Sequence, residues 1–588
     1  MEKFEMEKQE DDKDEKLLSP LVSNGTRDIH GKVADKRKTG RWKAASFIIV
    51  SQVAENVAYI AIAVNLITYL ITQMKLSLPT SVALMSTWAG LGNMLTVVGA
   101  VLGDGYLGRF QTVLLASCCY MLGLLVLTLS ASIDSLRPPP CKIEPCQTAS
   151  VGQILFLCAG LGLLDLGTGG LKPCIPSFGG DQFDEADEKE KVQKSSFFDW
   201  VYFSLNMGAL FSVTVVVYVL EKKGWSWSFG LLTAATFLSI IILVVGLPFY
   251  RFQRTTGSAF TRFLQVIVAS LRNHMKGAHV GDGTQLYELK TPESDIKDAP
   301  KLPHTQHLRF LDKAAVRIDP EADTNSRWRL CTVTQVEELK CLIRIFPMWI
   351  IGVLGSVSYT QFTTFFIGQA KVMDRQITSN FAIPAASTPI IFAVNAIVLI
   401  PLYDNVIVPA LRKYTGNPHG ITTLQRIGVG FFVSILALAS AAIVERQRRD
   451  TVNSTHTNMS VLWLLPQFIL LGTAEMLAFV AQMEFFYSEA TVGTRSISSA
   501  VFQTQLGTAN ILNGLIVSII TNATGGERKG WLRNDLNHSK LDYYYWILTA
   551  LNGFSFLIYM WHASHYKGRS GSVNPNSVKP VNEVEDTQ

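Results

Sequence analysis

Three ionisable residues interrupt apolar runs of membrane-crossing length: Glu55 in the first run, Lys172 in the fourth and Glu475 in the tenth. A charge at the bilayer centre costs about 2.5–3.5 kcal/mol on insertion scales, so it persists where a partner or a watery cavity receives it. Opposite signs on different runs predict a buried polar site inside a helical bundle. Its carboxylates could hold a cationic group or a proton, and its ammonium an anion. That is reversible binding chemistry, suited to carrying a small solute across a membrane. Gln52, Glu55, Asn56 and Tyr59 are spaced to project from one helix face. Asp165 precedes Lys172 by seven residues, which puts the two on one face about 10 Å apart.

The elements that position these groups follow from composition. The chain has 588 residues, 48% hydrophobic and 17% charged. Runs of about 20 apolar residues cross about 30 Å of hydrocarbon as helices. Twelve such spans are predicted: 44–73, 80–104, 108–131, 150–175, 196–220, 226–250, 340–368, 381–408, 423–444, 460–488, 495–520 and 543–563. Lipid offers no partner to an open backbone group, so the spans must be helices. Six spans (44–250), a polar linker (251–339) and six more (340–565), between tails 1–43 and 566–588, give an all-α membrane protein. This is the arithmetic of the major facilitator superfamily fold, twelve transmembrane helices in two six-helix bundles with the substrate site between them at the midplane. Helical periodicity at 258–276 and 305–317 predicts a strap within the linker.

Charge placement orients the chain. Lys36, Arg37, Lys38, Arg41 and Lys43 crowd the first tail, and Arg251, Arg254, Arg262, Arg272 and Lys276 the linker. The positive-inside rule puts both, and with an even number of spans the C-terminus, in the cytosol. No cleavable signal peptide is visible, and the first span is expected to direct insertion. Sequons at Asn453, Asn458, Asn522 and Asn537 then fall in non-cytosolic loops, whereas that at Asn24 stays cytosolic. Cys141 and Cys146 share a Pro-rich loop on the non-cytosolic side; a bridge and two free thiols are both open readings. Residues 570–588 read as a polar, disordered tail. Asp14-Glu-Lys-Leu17-Leu18 resembles an acidic dileucine sorting signal suited to a vacuolar membrane, with the plasma membrane as the alternative. Bases are not interleaved with aromatics, which argues against nucleic acid as a partner. No metal-ligand spacing, G-x-S-x-G or phosphate loop is present, so neither an enzyme nor a cofactor is expected. Oligomeric state is not encoded legibly.

Gly99-Ala-Val-Leu-Gly-Asp104-Gly-Tyr-Leu-Gly108-Arg109-Phe-Gln-Thr112 is similar, position for position, to the first signature of proton-coupled oligopeptide transporters. Asp104 and Arg109 in that turn are expected to pair across the two halves. Phe197-Phe-Asp-Trp-Val-Tyr-Phe-Ser-Leu-Asn206-Met-Gly208 resembles the second signature, with Asp199 where Asn is commoner. Phe178-Gly-Gly-Asp181-Gln182-Phe183-Asp184, Leu424-Gln425-Arg426-Ile427-Gly428 and Leu541-Asp542-Tyr543-Tyr544-Tyr545-Trp546 resemble the plant nitrate/peptide transporter family. The resemblance spans residues 40–565. It implies that Lys172 and Glu475 are the fourth- and tenth-helix charges which, in relatives, pair alternately and engage substrate.

Two departures bear on mechanism. The family's E-x-x-E-R/K motif in span one is here Gln52, Glu55 and Asn56, so only one of its ionisable groups survives. Proton coupling is therefore expected to be weakened, with transport driven mainly by the solute gradient; coupling carried by Glu55 and Glu475 alone is the alternative. Tyr359 stands where a nitrate-binding histidine is found in the family's best-known nitrate transporter, and it offers a hydroxyl without charge. Thr112 aligns with a regulatory phosphorylation position, although a threonine capping span three is an equal reading. The expected function is secondary active or facilitative transport, by alternating access, of a small anionic or zwitterionic solute such as nitrate, a di- or tripeptide, a hormone or a specialised metabolite. A non-transporting sensor on the same scaffold is the alternative.

Overall fold

A computed structural model describes residues 21–22, 26–139, 147–184, 187–253, 257, 259–279, 281, 286–289, 301–318, 326–379, 381–416, 420–491 and 495–566. Eleven helical stretches are long and apolar enough to cross a bilayer: Arg41–Thr72, Leu78–Gly105, Arg109–Ser132, Val151–Gly180, Lys189–Lys223, Trp225–Val245, Val333–Lys371, Ala385–Thr415, Thr423–Thr455, Val461–Glu489 and Ile497–Ala523. They are spans one to eleven. Span twelve, Leu541–His565, is a 25-residue helix packed on spans seven and nine. It is long enough to cross but less apolar, because Asp542, Asn552, His562 and His565 dilute it.

Local chemistry sets the helix starts. Ser150 with Gln153, Thr332 with Gln335 and Thr422 with Gln425 form capping boxes at spans four, seven and nine, satisfying amides the helix leaves open. The box at Thr332 begins span seven earlier than expected from hydropathy, and residues 333–339 belong to its helix rather than to a free linker. Span nine likewise runs on past residue 444 to Thr455, so Asn453 sits in its last turn; Asn522 occupies the same kind of position at the end of span eleven.

Small residues bring helices into backbone contact. Pro173 in span four cannot donate to the carbonyl of Gly169, and Gly99 of span two packs onto that oxygen, where an added Cβ would lie 2.1 Å away. Between the halves, Gly90 of span two faces Gly507 of span eleven, whose carbonyl oxygen would lie 2.9 Å from an added Cβ. A set of hydrogen bonds joins the halves toward the end opposite the linker. Glu527 accepts from the Ser77 and Thr80 hydroxyls. Asn534 accepts from the Leu78 amide at 3.2 Å, Asn513 donates to Ser86 at 2.9 Å, and Ser387 donates to the Val213 carbonyl at 2.6 Å. The halves are sealed there.

Two buried ion clusters fix the ends. At the linker end of the N-terminal half, Arg251 meets Glu190 at 2.7 Å, both fully buried, and also bonds the Thr39 and Gln182 carbonyls. At the far end of the C-terminal half, Arg448 grips Glu445 bidentately at 2.8 Å and reaches the Asn537 side-chain oxygen at 2.7 Å. The linker contributes the expected strap as the helix Ala259–Met275. Ala259, Phe263, Val266 and Ala269 pack with Leu311, Ala314, Val336, Leu339 and Ile497 into a small separate core.

Candidate functional site

The three charges of the apolar runs lie in the inner parts of their spans. Lys172, beside Pro173, is half-buried; its Nζ donates to Asn93 Oδ1 of span two at 3.1 Å and sits 4.1 Å from the Tyr59 ring centroid. Such a cation–ring contact contributes about 0.5–2 kcal/mol, according to how far it is desolvated. The Tyr59 ring is held in turn by Trp88, with ring centroids 5.6 Å apart. Lys172 makes no ion pair with Glu475 in this conformation, nor with another carboxylate among the described residues. Asp165 is buried, with its carboxylate against Gly92.

On span one, Glu55 is buried and accepts a long bond, 3.4 Å, from the Gln52 amide; its Oε1 has no partner. Asn56 turns away from this pair and donates to the Leu205 carbonyl of span five at 2.6 Å. Gly208, one turn on, leaves room for that side chain: an added Cβ would be 3.0 Å from Asn56 Nδ2.

The opposite wall comes from spans seven, ten and eleven. Val357–Thr363 of span seven is a 3-10 segment, tightened by Ser358 and Thr360 bonding back to Gly355 and Val357, both at 2.8 Å. Tyr359 is thereby aimed at span ten, where its hydroxyl donates to the Ala474 carbonyl at 3.2 Å beside Glu475. Glu475 is half-buried, and its Oε2 has no hydrogen-bond partner. Sequence reasoning missed the buried amides of spans seven, ten and eleven. Gln361 and Tyr544 both donate to Asn513 Oδ1, at 2.9 and 2.7 Å, and Gln505 bonds Gln482 and Ser356. Asn93, Gln361, Gln505 and Asn513 are uncharged polar residues within spans, a weaker signal than a lone charge.

Other expected residues serve elsewhere. Arg109 does not bridge the halves; it meets Asp104 at 2.8 Å and Asp181 at 2.6 Å within the N-terminal half. The reason is proximity: the turn through Gly108, with φ of +86°, folds Arg109 back onto Asp104. Thr112 is buried and donates to the Gly108 carbonyl at 3.0 Å. Asn206 lies half-buried on span five. Asn453, Asn458 and Asn522 are exposed, whereas Asn537 is held by Arg448. Cys141, Cys146 and Asn24 fall outside the described residues. His304, Asp312 and Glu337 of the linker place ligand atoms within 4.8 Å of one another. The Lys340 ammonium fills the cationic role there, 2.7 Å from Asp312 and 2.8 Å from Glu337.

The family model PTR2, described as POT family, matches residues 110–532. The chain belongs to the POT family. Among its relatives in Arabidopsis thaliana, Protein NRT1/PTR FAMILY 8.3 is 41% identical, covering 94% of this chain and 96% of the relative. Protein NRT1/PTR FAMILY 8.2 is 42% identical over 95% and 98%. The transporter also superposes on an auto-inhibited POT family peptide transporter with a TM-score of 0.66 at 19% identity, covering 92% of this chain and 99% of that one. The POT family transporter PepTSo gives 0.65 at 18%, covering 89% and 97%. A POT family transporter in complex with 5-aminolevulinic acid gives 0.58 at 13%, covering 88% and 95%. The protein is therefore a multi-pass membrane transporter of major facilitator fold, in the plant NRT1/PTR branch of this family, and not an enzyme.

Proposed function

We propose that this transporter moves a small anionic or zwitterionic solute by alternating access, binding it between Lys172 and Glu475. One observation carries the reading: Lys172 is supported by an amide and an aromatic ring instead of a carboxylate, so its charge is left for a ligand. The unpartnered Oε2 of Glu475 on the facing half is available for an amine. A ligand with a carboxylate at one end and an amine at the other satisfies both, as a di- or tripeptide would. 5-Aminolevulinic acid, bound by one structural neighbour, has the same two groups. Nitrate would use the lysine side alone.

Coupling to protons is weakened in this reading. The neighbour of Glu55 is an amide that cannot titrate, and the position of the motif's cation is spent on a backbone bond. The positive linker and first tail lie in the cytosol, and the membrane is the plasma or vacuolar membrane.

The test is uptake by purified protein in liposomes, with labelled dipeptide and nitrate offered in parallel. Saturable flux of either, competed by the unlabelled solute, is expected. No flux of any anionic or zwitterionic solute, with or without a pH gradient, overturns the reading.

A further inference from the structure

The strap helix Ala259–Met275 has two apolar faces, and only one is used. Ala259, Phe263, Val266 and Ala269 are buried in the linker core. On the other side Leu264, Ile267, Val268, Leu271 and Met275 follow one another at three, one, three and four residues, a single stripe along the helix. All five are exposed: Leu264 by 55%, Leu271 by 58% and Met275 by 80%. Phe310 of the neighbouring linker segment is also 57% exposed, and its carbonyl accepts from Ser270 on the core side of the strap at 2.6 Å. At 100° per residue, Arg272 and His274 border the stripe on either side, and Lys276 follows Arg272.

We propose that this stripe lies in the bilayer surface, with its apolar side chains among acyl chains and Arg272 and Lys276 on anionic lipid headgroups. Three observations select lipid over other occupants. The first is depth. Tyr106, exposed at the linker end of span two, pairs through its hydroxyl with Thr261 near the start of the strap helix, at 3.4 Å. Tyrosines at span ends belong at headgroup level, which brings the strap to that level too. The second is continuity, because exposed Leu107 and Tyr106 extend the lipid-facing surface of span two toward the stripe. The third is charge: basic residues border the apolar face, the composition of helices that lie in an anionic interface. The strap then joins three bodies, the two halves and the membrane surface. Its depth is coupled to how the linker core sits on the first turns of span seven.

The test uses the full-length transporter in vesicles of phosphatidylcholine, with and without phosphatidylserine. A fluorophore is attached at Leu264→Cys or Leu271→Cys, and at exposed His279→Cys as the aqueous control, with the labelled unsubstituted chain as blank for native thiols. Brominated acyl chains are expected to quench at 264 and 271 and aqueous iodide to fail there, with the reverse at 279. Phosphatidylserine should deepen the lipid quenching, and Arg272→Glu with Lys276→Glu should cancel that gain. Iodide quenching at 264 and 271 would show an open face and overturn the proposal. Protection from both quenchers would show a protein occupant, a second copy or another segment, and overturn it as well. Equal quenching in both vesicle types, or no response to charge reversal, would refute the headgroup contact.

Discussion

The Asn56 carboxamide donates to the Leu205 carbonyl at 2.6 Å and so joins span one to span five inside the N-terminal half. Position 56 therefore has a structural duty, and Gln52 and Glu55 are left to face each other without a cation beside them on that helix.

Removing the bond by Asn56→Ala should lower stability by about 0.6 kcal/mol, the average for interhelical bonds in membranes, and by no more than about 1.7 kcal/mol. Melting of the purified protein measures it. In liposomes, Gln52→Glu with Asn56→Arg should make uptake depend more steeply on an imposed inward proton gradient than in the parent. An unchanged pH profile would move attention to Asp165.

Lys172→Ala and Glu475→Gln should each leave the protein in the membrane and remove transport. Losing one charged hydrogen bond to solute, about 1.5–3 kcal/mol, corresponds to a fall of roughly 10–150-fold in uptake efficiency. Initial rates in vesicles, normalised to protein incorporated, check it; a wild-type rate in either variant would exclude that residue from the site and overturn binding between the two.

The buried pair of Glu445 and Arg448 should be costly to break and cheap to replace. Arg448→Met alone should destabilise by about 3–5 kcal/mol, and adding Glu445→Leu should recover much of that loss. Thermal unfolding in detergent separates the two outcomes.

The same cluster affects glycosylation. Asn537 is tied to Arg448, and Ser539 of its sequon is buried with its hydroxyl on the Trp531 carbonyl at 2.8 Å. Asn453 and Asn458 should therefore accept glycans while Asn537 stays bare. Gel mobility after Asn453→Gln, Asn458→Gln and Asn537→Gln should shift for the first two only, and Asn537→Gln should instead lower the melting temperature.

Glu527→Ala removes the acceptor shared by Ser77 and Thr80 at the sealed end. Two exposed bonds of about 0.5–1.5 kcal/mol each should shift the open-to-closed ratio at that end by roughly 5- to 150-fold. Spin labels at exposed Ile133 and His456, on opposite halves, should move apart in double electron–electron resonance. An unaltered distance distribution would show that the glycine packing of spans two and eleven suffices.

Lone charges in apolar runs stand out because lipid tolerates them only for a reason, and the inward placement of Glu55, Lys172 and Glu475 is accordingly legible from sequence. The same rule misled at span nine. Glu445, Arg446, Arg448 and Arg449 read as the end of a helix, yet the helix continues for three turns. Glu445 and Arg448 neutralise each other three residues apart, but the further groups that hold them and Arg449, namely Gln369, Asn537 and Asp542, lie far away in the chain, and local composition carries no trace of them. Arg109 failed in the opposite sense: a turn set by Gly108 supplied a partner nearer than the facing half. Asn56 could be seen to lack charge, but its acceptor is a backbone carbonyl, to which sequence is blind.

The hydrogen bonds that stitch the halves together at the end away from the linker have a consequence for traffic. A carrier that idles sealed on this rim would rest with its site toward the compartment that holds its linker. Solute already delivered there meets an empty seat before the carrier can return, and it reloads the seat in competition with the return journey. If transport runs toward that compartment, net delivery would slow as the receiving pool fills, and no separate regulator would be needed.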